Sequence, residues 1–161
     1  MRLLLLISFA LLSISTSAQI SNAPAKMVNI IGPYKLGSLF TELKDLPGFK
    51  YDTGRSNPGK GIQVGKIIDK NVYDQPTIQR LTFHKNKLVR ISIIIGDVQF
   101  TEEQTKALVA KQWGDPGAKQ LIGDNLIYLW TGSIGTLMIL PADGGRQMVS
   151  LSDNDKSHFV E

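Results

Sequence analysis

Arg80-Leu81-Thr82-Phe83-His84-Lys85-Asn86-Lys87-Leu88-Val89-Arg90-Ile91-Ser92-Ile93-Ile94-Ile95 is the stretch whose reading decides the fold. Arg80 to Phe83 and Leu88 to Ile95 alternate apolar and polar residues with the period of a half-buried strand, so the segment reads as an antiparallel hairpin. Leu81 and Phe83 point one way, and Val89, Ile91, Ile93 and Ile95 form the matching apolar set. Placing both sets on one face requires an odd-numbered loop, because a slip of one residue turns every side chain over. A three-residue loop, His84-Lys85-Asn86, satisfies this, with Asn86 in the left-handed conformation that Asn tolerates. His84 is then an exposed turn residue, and Arg80 and Arg90 lie on the parity away from the core.

Working outward, Ile62 to Asp69 precedes this hairpin as a strand, and Leu126 to Trp130, Thr136 to Leu140 and Gln147 to Leu151 follow it. Each group of strands comes after a helix start bearing the same tripeptide, Phe40-Thr41-Glu42 and Phe100-Thr101-Glu102. In the first, Ser38 is the expected cap, Leu39, Phe40, Leu43 and Leu46 have helical spacing, and Pro47-Gly48 stops the helix. In the second, Thr101 and Gln104 form a capping-box pair, Leu108, Val109 and Trp113 supply the apolar edge, and Gly114 and Pro116 end it. The expected fold class is therefore α+β: two tandem helix-plus-antiparallel-sheet units forming one domain over residues 19–161, with an internal duplication at about 30–97 and 98–152.

Leu126-Ile127-Tyr128-Leu129-Trp130 and Leu137-Met138-Ile139-Leu140 are apolar on both parities. A strand greasy on both faces is either covered twice or presents one face to a partner. The second case makes Tyr128 and Trp130 candidate partner-binding anchors, together with Arg80 and Arg90 on the non-core parity of the middle hairpin.

At the start of the chain, Arg2 precedes the apolar run Leu3 to Leu12, and Thr16-Ser17-Ala18 ends the segment. This is the pattern of a cleavable secretory signal, residues 1–18, cut after Ala18 and too short to remain as a membrane anchor. Periplasmic or secreted localisation follows. With no cysteine the chain forms no disulfide and has no thiol for lipid attachment. The net charge of +4 includes a loose run of Lys50, Arg55, Lys60, Lys66 and Lys70, diluted by Asp52 and Asp69, which is too sparse for a nucleic-acid footprint.

Reactive-site motifs fail one by one. Gly54 to Gly61 approaches a phosphate-binding P-loop, yet Gly61 stands where a Ser or Thr hydroxyl is needed and a strand follows instead of a helix. Asp52-Thr53-Gly54 matches the aspartic-protease triplet, but a single triplet works only in a symmetric dimer, and Lys50-Tyr51 precedes it where a buried apolar pair is needed, so it reads as a turn starting at an Asp. Only His84 and His158 could serve as imidazole bases, and Ser133 in Gly132-Ser133-Ile134-Gly135 reads as a hairpin loop. Asp153, Asn154 and Asp155 lack the spacing of a calcium loop and read as a solvated tail. No catalytic residue, cofactor or metal is expected.

Leu36-Gly37, then Glu42-Leu43 at a helix start, with a hairpin of the Leu81-Thr82-Phe83 and Lys87-Leu88-Val89 kind, resembles the SmpA/OmlA and β-lactamase-inhibitor-protein-like superfamily. The resemblance implies a helix packed on a small antiparallel sheet, tandem units joined into one longer sheet, and a binding or scaffold role without catalytic residues. Leu39 stands where the family usually has Thr, and the acylated cysteine of its outer-membrane assembly lipoproteins is missing. The expected function is an exported, non-enzymatic protein-binding or scaffold domain of the bacterial envelope, binding a protein partner on a sheet surface. The alternative is a small exported hydrolase or ligand-binding protein using the 52–61 loop.

Overall fold

The computed structural model describes residues 27–68, 72–97 and 99–155. The signal segment and His158 lie outside the described residues. A small hairpin of β1 (Ile30–Ile31) and β2 (Tyr34–Lys35) leads into α1 (Phe40–Leu43), followed by β3 (Phe49–Tyr51), β4 (Ile62–Ile68), β5 (Thr77–His84) and β6 (Lys87–Ile95). After α2 (Glu102–Trp113) come β7 (Ala118–Ile122), β8 (Asn125–Thr131), β9 (Gly135–Pro141) and β10 (Gln147–Asp153). Strands β3 to β10 form one antiparallel sheet in the order β3-β4-β5-β6-β10-β9-β8-β7, with β6 and β10 meeting at its centre.

The α+β expectation is overturned: the fold is mostly β, with 49% strand, 18% helix and one main helix. The first helix is a single turn: its N-cap Leu39 offers no side-chain acceptor, the Glu42 carboxylate alone reaching back to the Leu39 N–H at 2.9 Å, and Pro47 lacks the N–H that would bond the Leu43 carbonyl for a further turn. Ser38, expected as the cap, instead gives its carbonyl to the Leu88 N–H at 2.8 Å. The second helix has the cap its sequence predicts, with Gln104 N–H on Thr101 Oγ1 at 3.2 Å and Thr101 N–H on Gln104 Oε1 at 2.8 Å. Each helix precedes four strands where three were expected. The extra ones, β3 and β7, are the short edge strands, with too few alternating apolar residues to stand out.

The central hairpin reaches the expected facing by another route. Its loop is two residues, Lys85 and Asn86, at φ 47° and 70°, and β5 runs through His84, which is half-buried. An even loop would put Leu81 opposite Arg90, but Thr82 pairs Arg90 and Phe83 pairs Leu88, leaving Val89 as a bulge. The bulge supplies the odd residue that the parity argument assigned to the loop. Leu81 thus faces Ile91, and Leu88 and Val89 are both buried.

The core lies on the sheet face toward α1 and α2. Leu81, Phe83, Ile91, Ile93, Leu137, Ile139, Val149 and Leu151 pack there with Val109 of α2 and with Ile31 and Tyr34 of the leading hairpin. Phe40 sets its ring edge-on to Phe49, Tyr51 and Phe83, which fixes α1 over the first strands. A Cβ on Gly65 would overlap the Phe49 ring, so only glycine lets that ring cover β4. The Tyr34 hydroxyl donates to Gln79 Oε1, and the Gln79 amide donates to Thr77 Oγ1 at 3.0 Å, which satisfies a polar cluster under the leading hairpin.

Candidate functional site

The sheet has a second face that neither helix covers, and strand register defines what it displays. One row runs across all eight strands: Lys50, Lys66, Arg80, Ser92, Ser150, Met138, Leu129 and Ala118 are successive cross-strand partners. It is cationic at one end, hydroxyl-bearing in the middle and apolar at the other end. The row on one side is Val64, Thr82, Arg90, Ser152, Thr136 and Thr131; the row on the other is Ile68, Ile78, Ile94, Met148 and Leu140. None of the residues in these three rows is acidic.

Arg80 and Arg90 lie in a recess of about 280 Å³ also lined by Arg55, Thr82, Ser92 and Met148. Arg90 Nε donates to Ser152 Oγ at 3.1 Å across the central seam, and burial pulls its guanidinium below the ordinary arginine value. Arg80 Nε is buried without a hydrogen-bond partner. Arg55 is held at the rim by Asp52, 3.6 Å away. Lys50, Lys66 and Arg80 oppose one another directly on adjacent strands, an arrangement that costs stability because like charges face across the ladder.

The anchors proposed from sequence are on the wrong face. Tyr128 and Trp130 are 3% and 4% exposed and sit beneath α2, so neither offers a surface to a partner. Trp130 Nε1 donates to the Gly114 carbonyl at 2.7 Å, and the Tyr128 hydroxyl donates to Glu103 at 2.8 Å. That hydrogen bond pushes the Tyr128 hydroxyl up to about 12, and Glu103 is held below the usual carboxylate range by Lys106 and by Tyr128. On these same two strands the residues of opposite parity, among them Leu129, Met138 and Leu140, are the ones on the uncovered face. Both parities of these strands are apolar, and nothing local in the sequence says which of them meets the helix. In the sequence Lys50 and Lys66 are diffuse charge, since nothing local places them in line with Arg80.

The 52–61 loop is tied down by its own hydrogen bonds. Ser56 Oγ donates to the Asp52 carbonyl at 2.7 Å and accepts from the Val64 N–H at 2.9 Å, while Asn57 caps the turn Pro58–Lys60 by accepting from the Lys60 N–H at 3.2 Å. The Asp52 carboxylate meets Arg55, not a second carboxylate. Ser133 is exposed in the β8–β9 turn. Asp153 ends β10, and Asn154, read as solvated tail, braces that turn with its side chain on the Gly132 carbonyl at 2.9 Å and on Thr136 Oγ1 at 2.9 Å. Among the described residues, no three metal-ligating side chains come together and no helix is long and apolar enough to cross a membrane. No family, curated protein or solved structure matches this chain.

Proposed function

We propose that this chain is an exported, non-enzymatic binding domain that docks a protein partner on the helix-free face of its eight-stranded sheet. The observation that carries the reading is the row from Lys50, Lys66 and Arg80 to Met138 and Leu129, a cationic end joined to an apolar end across one continuous surface. Its complement is a protein surface with acidic side chains beside an apolar patch. Export is supported by Arg2, the run Leu3 to Leu12 and the small residues through Ala18. The two groups of four consecutive strands, β3–β6 and β7–β10, read as copies of one unit, and the resemblance to the β-lactamase-inhibitor-protein-like superfamily points to the same use of a sheet surface.

The test is site-specific photocrosslinking in the native cell. A crosslinker at Thr82 or Thr136 should capture one protein through an acidic segment, identified by mass spectrometry, while a crosslinker at the exposed Lys111 on α2 should not. Met138→Glu should abolish capture with an unchanged melting temperature. Equal capture from both faces, or none from the sheet, overturns the proposal. A hydrolase working through the 52–61 loop would instead lose activity on Asp52→Asn and Lys60→Ala.

A further inference from the structure

We infer that the Arg80 recess is a receptor for a single carboxylate, supplied by an Asp or Glu side chain of the docked partner. The inference rests on the docking reading above and adds the chemistry of its anchor. Three observations meet at this spot. First, Arg80 lines the recess and its buried Nε has no hydrogen-bond partner, an uncommon state for a donor on a cationic group, so the guanidinium charge is not compensated at that atom. Second, Arg55 and Arg90 line the same recess; Arg55 is paired with the loop carboxylate of Asp52 at 3.6 Å and Arg90 donates to the neutral Ser152 hydroxyl, so three arginines meet beside one acid. Third, Lys66 stands directly across the ladder from Arg80 and Lys50 across from Lys66, so the free protein carries a line of unrelieved like charge that ends at the recess.

The wall of the recess selects among anions. Ile62, Val64 and Met148 supply its apolar lining, and the hydroxyl-bearing Thr82 and Ser92 are the cross-strand partners of Arg90 and Arg80, with Ser92 also meeting Ser150 at 3.3 Å. A carboxylate on a short methylene stem matches both parts: the stem lies on the apolar side, and the planar oxygens meet a planar guanidinium fork. A free phosphate dianion offers no apolar stem, and its fuller hydration shell would have to be stripped against Val64 and Met148.

The probe is a blocked pentapeptide, Gly-Leu-Glu-Leu-Gly, with its Gln counterpart and inorganic phosphate as comparators, followed by the NMR signal of the Arg80 Nε–H. The Glu peptide should shift that signal and bind about tenfold or more tightly than the Gln peptide, with the difference shrinking as salt is raised. Arg80→Gln should erase the preference for Glu. Lys66→Glu should raise the melting temperature of the free protein by relieving the like-charge line while weakening the Glu peptide, an opposition that a purely structural lysine would not produce. Equal binding of the Glu and Gln peptides, tighter binding of phosphate, or an unchanged preference in Arg80→Gln overturns the inference. Carboxylate selectivity in a protein whose sheet captures no partner in the crosslinking experiment would leave the recess standing and remove the docking reading instead.

Discussion

At Tyr128 the ring lies in the core beside Ile139 and Trp130, while the hydroxyl leaves it to meet Glu103 on the first turn of α2. Two lysines, Lys106 and Lys119, stand over the ring at 5.1 and 5.3 Å from its centre, so the residue joins helix, core and edge strand. The sequence showed an aromatic on a doubly apolar strand; which way it pointed depended on where α2 came to rest. Tyr128→Ala should cost about 3–5 kcal/mol in denaturant titrations, as expected for an aromatic lost from a core. The pH dependence has a definite sign. Glu103 is held below its usual value, so its contribution is present above the ordinary carboxylate range and is lost as pH falls through its folded value; Tyr128 is raised, so its share is present below its ordinary value and is lost as pH climbs through about 12. Wild type should therefore exceed Glu103→Gln in stability at neutral pH and converge with it in acid, and a gap that persists at about pH 2 would contradict the assignment.

Among the elements, the two helices show how far local signals reach. Thr101 can accept the Gln104 N–H wherever the helix lies, so the start of α2 was legible; the Leu39 side chain can accept nothing and Pro47 has no N–H to carry the ladder past Leu43, so α1 is one turn despite its apolar spacing. The β5–β6 hairpin was legible in its facing but not in its mechanism, because an odd loop and an even loop with a bulge give the same parity. Lys85 takes the left-handed conformation at φ 47° in that two-residue turn, a state that costs a side-chain-bearing residue about 1–2 kcal/mol. Lys85→Gly should raise the urea midpoint, with a net gain of about 0.5 kcal/mol once the greater freedom of glycine in the unfolded chain is subtracted. A lower midpoint would show that the turn is not strained at this residue.

Across the whole molecule, the seam between β6 and β10 makes one sheet of two strand groups. Ser92 Oγ and Ser150 Oγ approach to 3.3 Å there, and Ile93 pairs Val149 on the core side. Because the core continues through this seam from Phe83 to Trp130, the chain should unfold as one unit. Tryptophan fluorescence, which reports only Trp113 and Trp130 in the second half, should melt together with the far-ultraviolet circular dichroism of all the strands. Ile93→Ala should lower both transitions together, by about 2–5 kcal/mol, whereas separate transitions would mark the halves as independent. The sequence by itself determined which residues alternate, where α2 begins and which residues share a face of each strand, because alternation and capping depend on neighbours a few positions apart. Only the tertiary structure decided that β6 pairs β10 across 58 residues, which face α2 covers, and hence that Lys50, Lys66, Arg80, Met138 and Leu129 form one line while Tyr128 and Trp130 are core. Parity tells the two faces of a strand apart, but only the packing of distant elements determines which of them meets water.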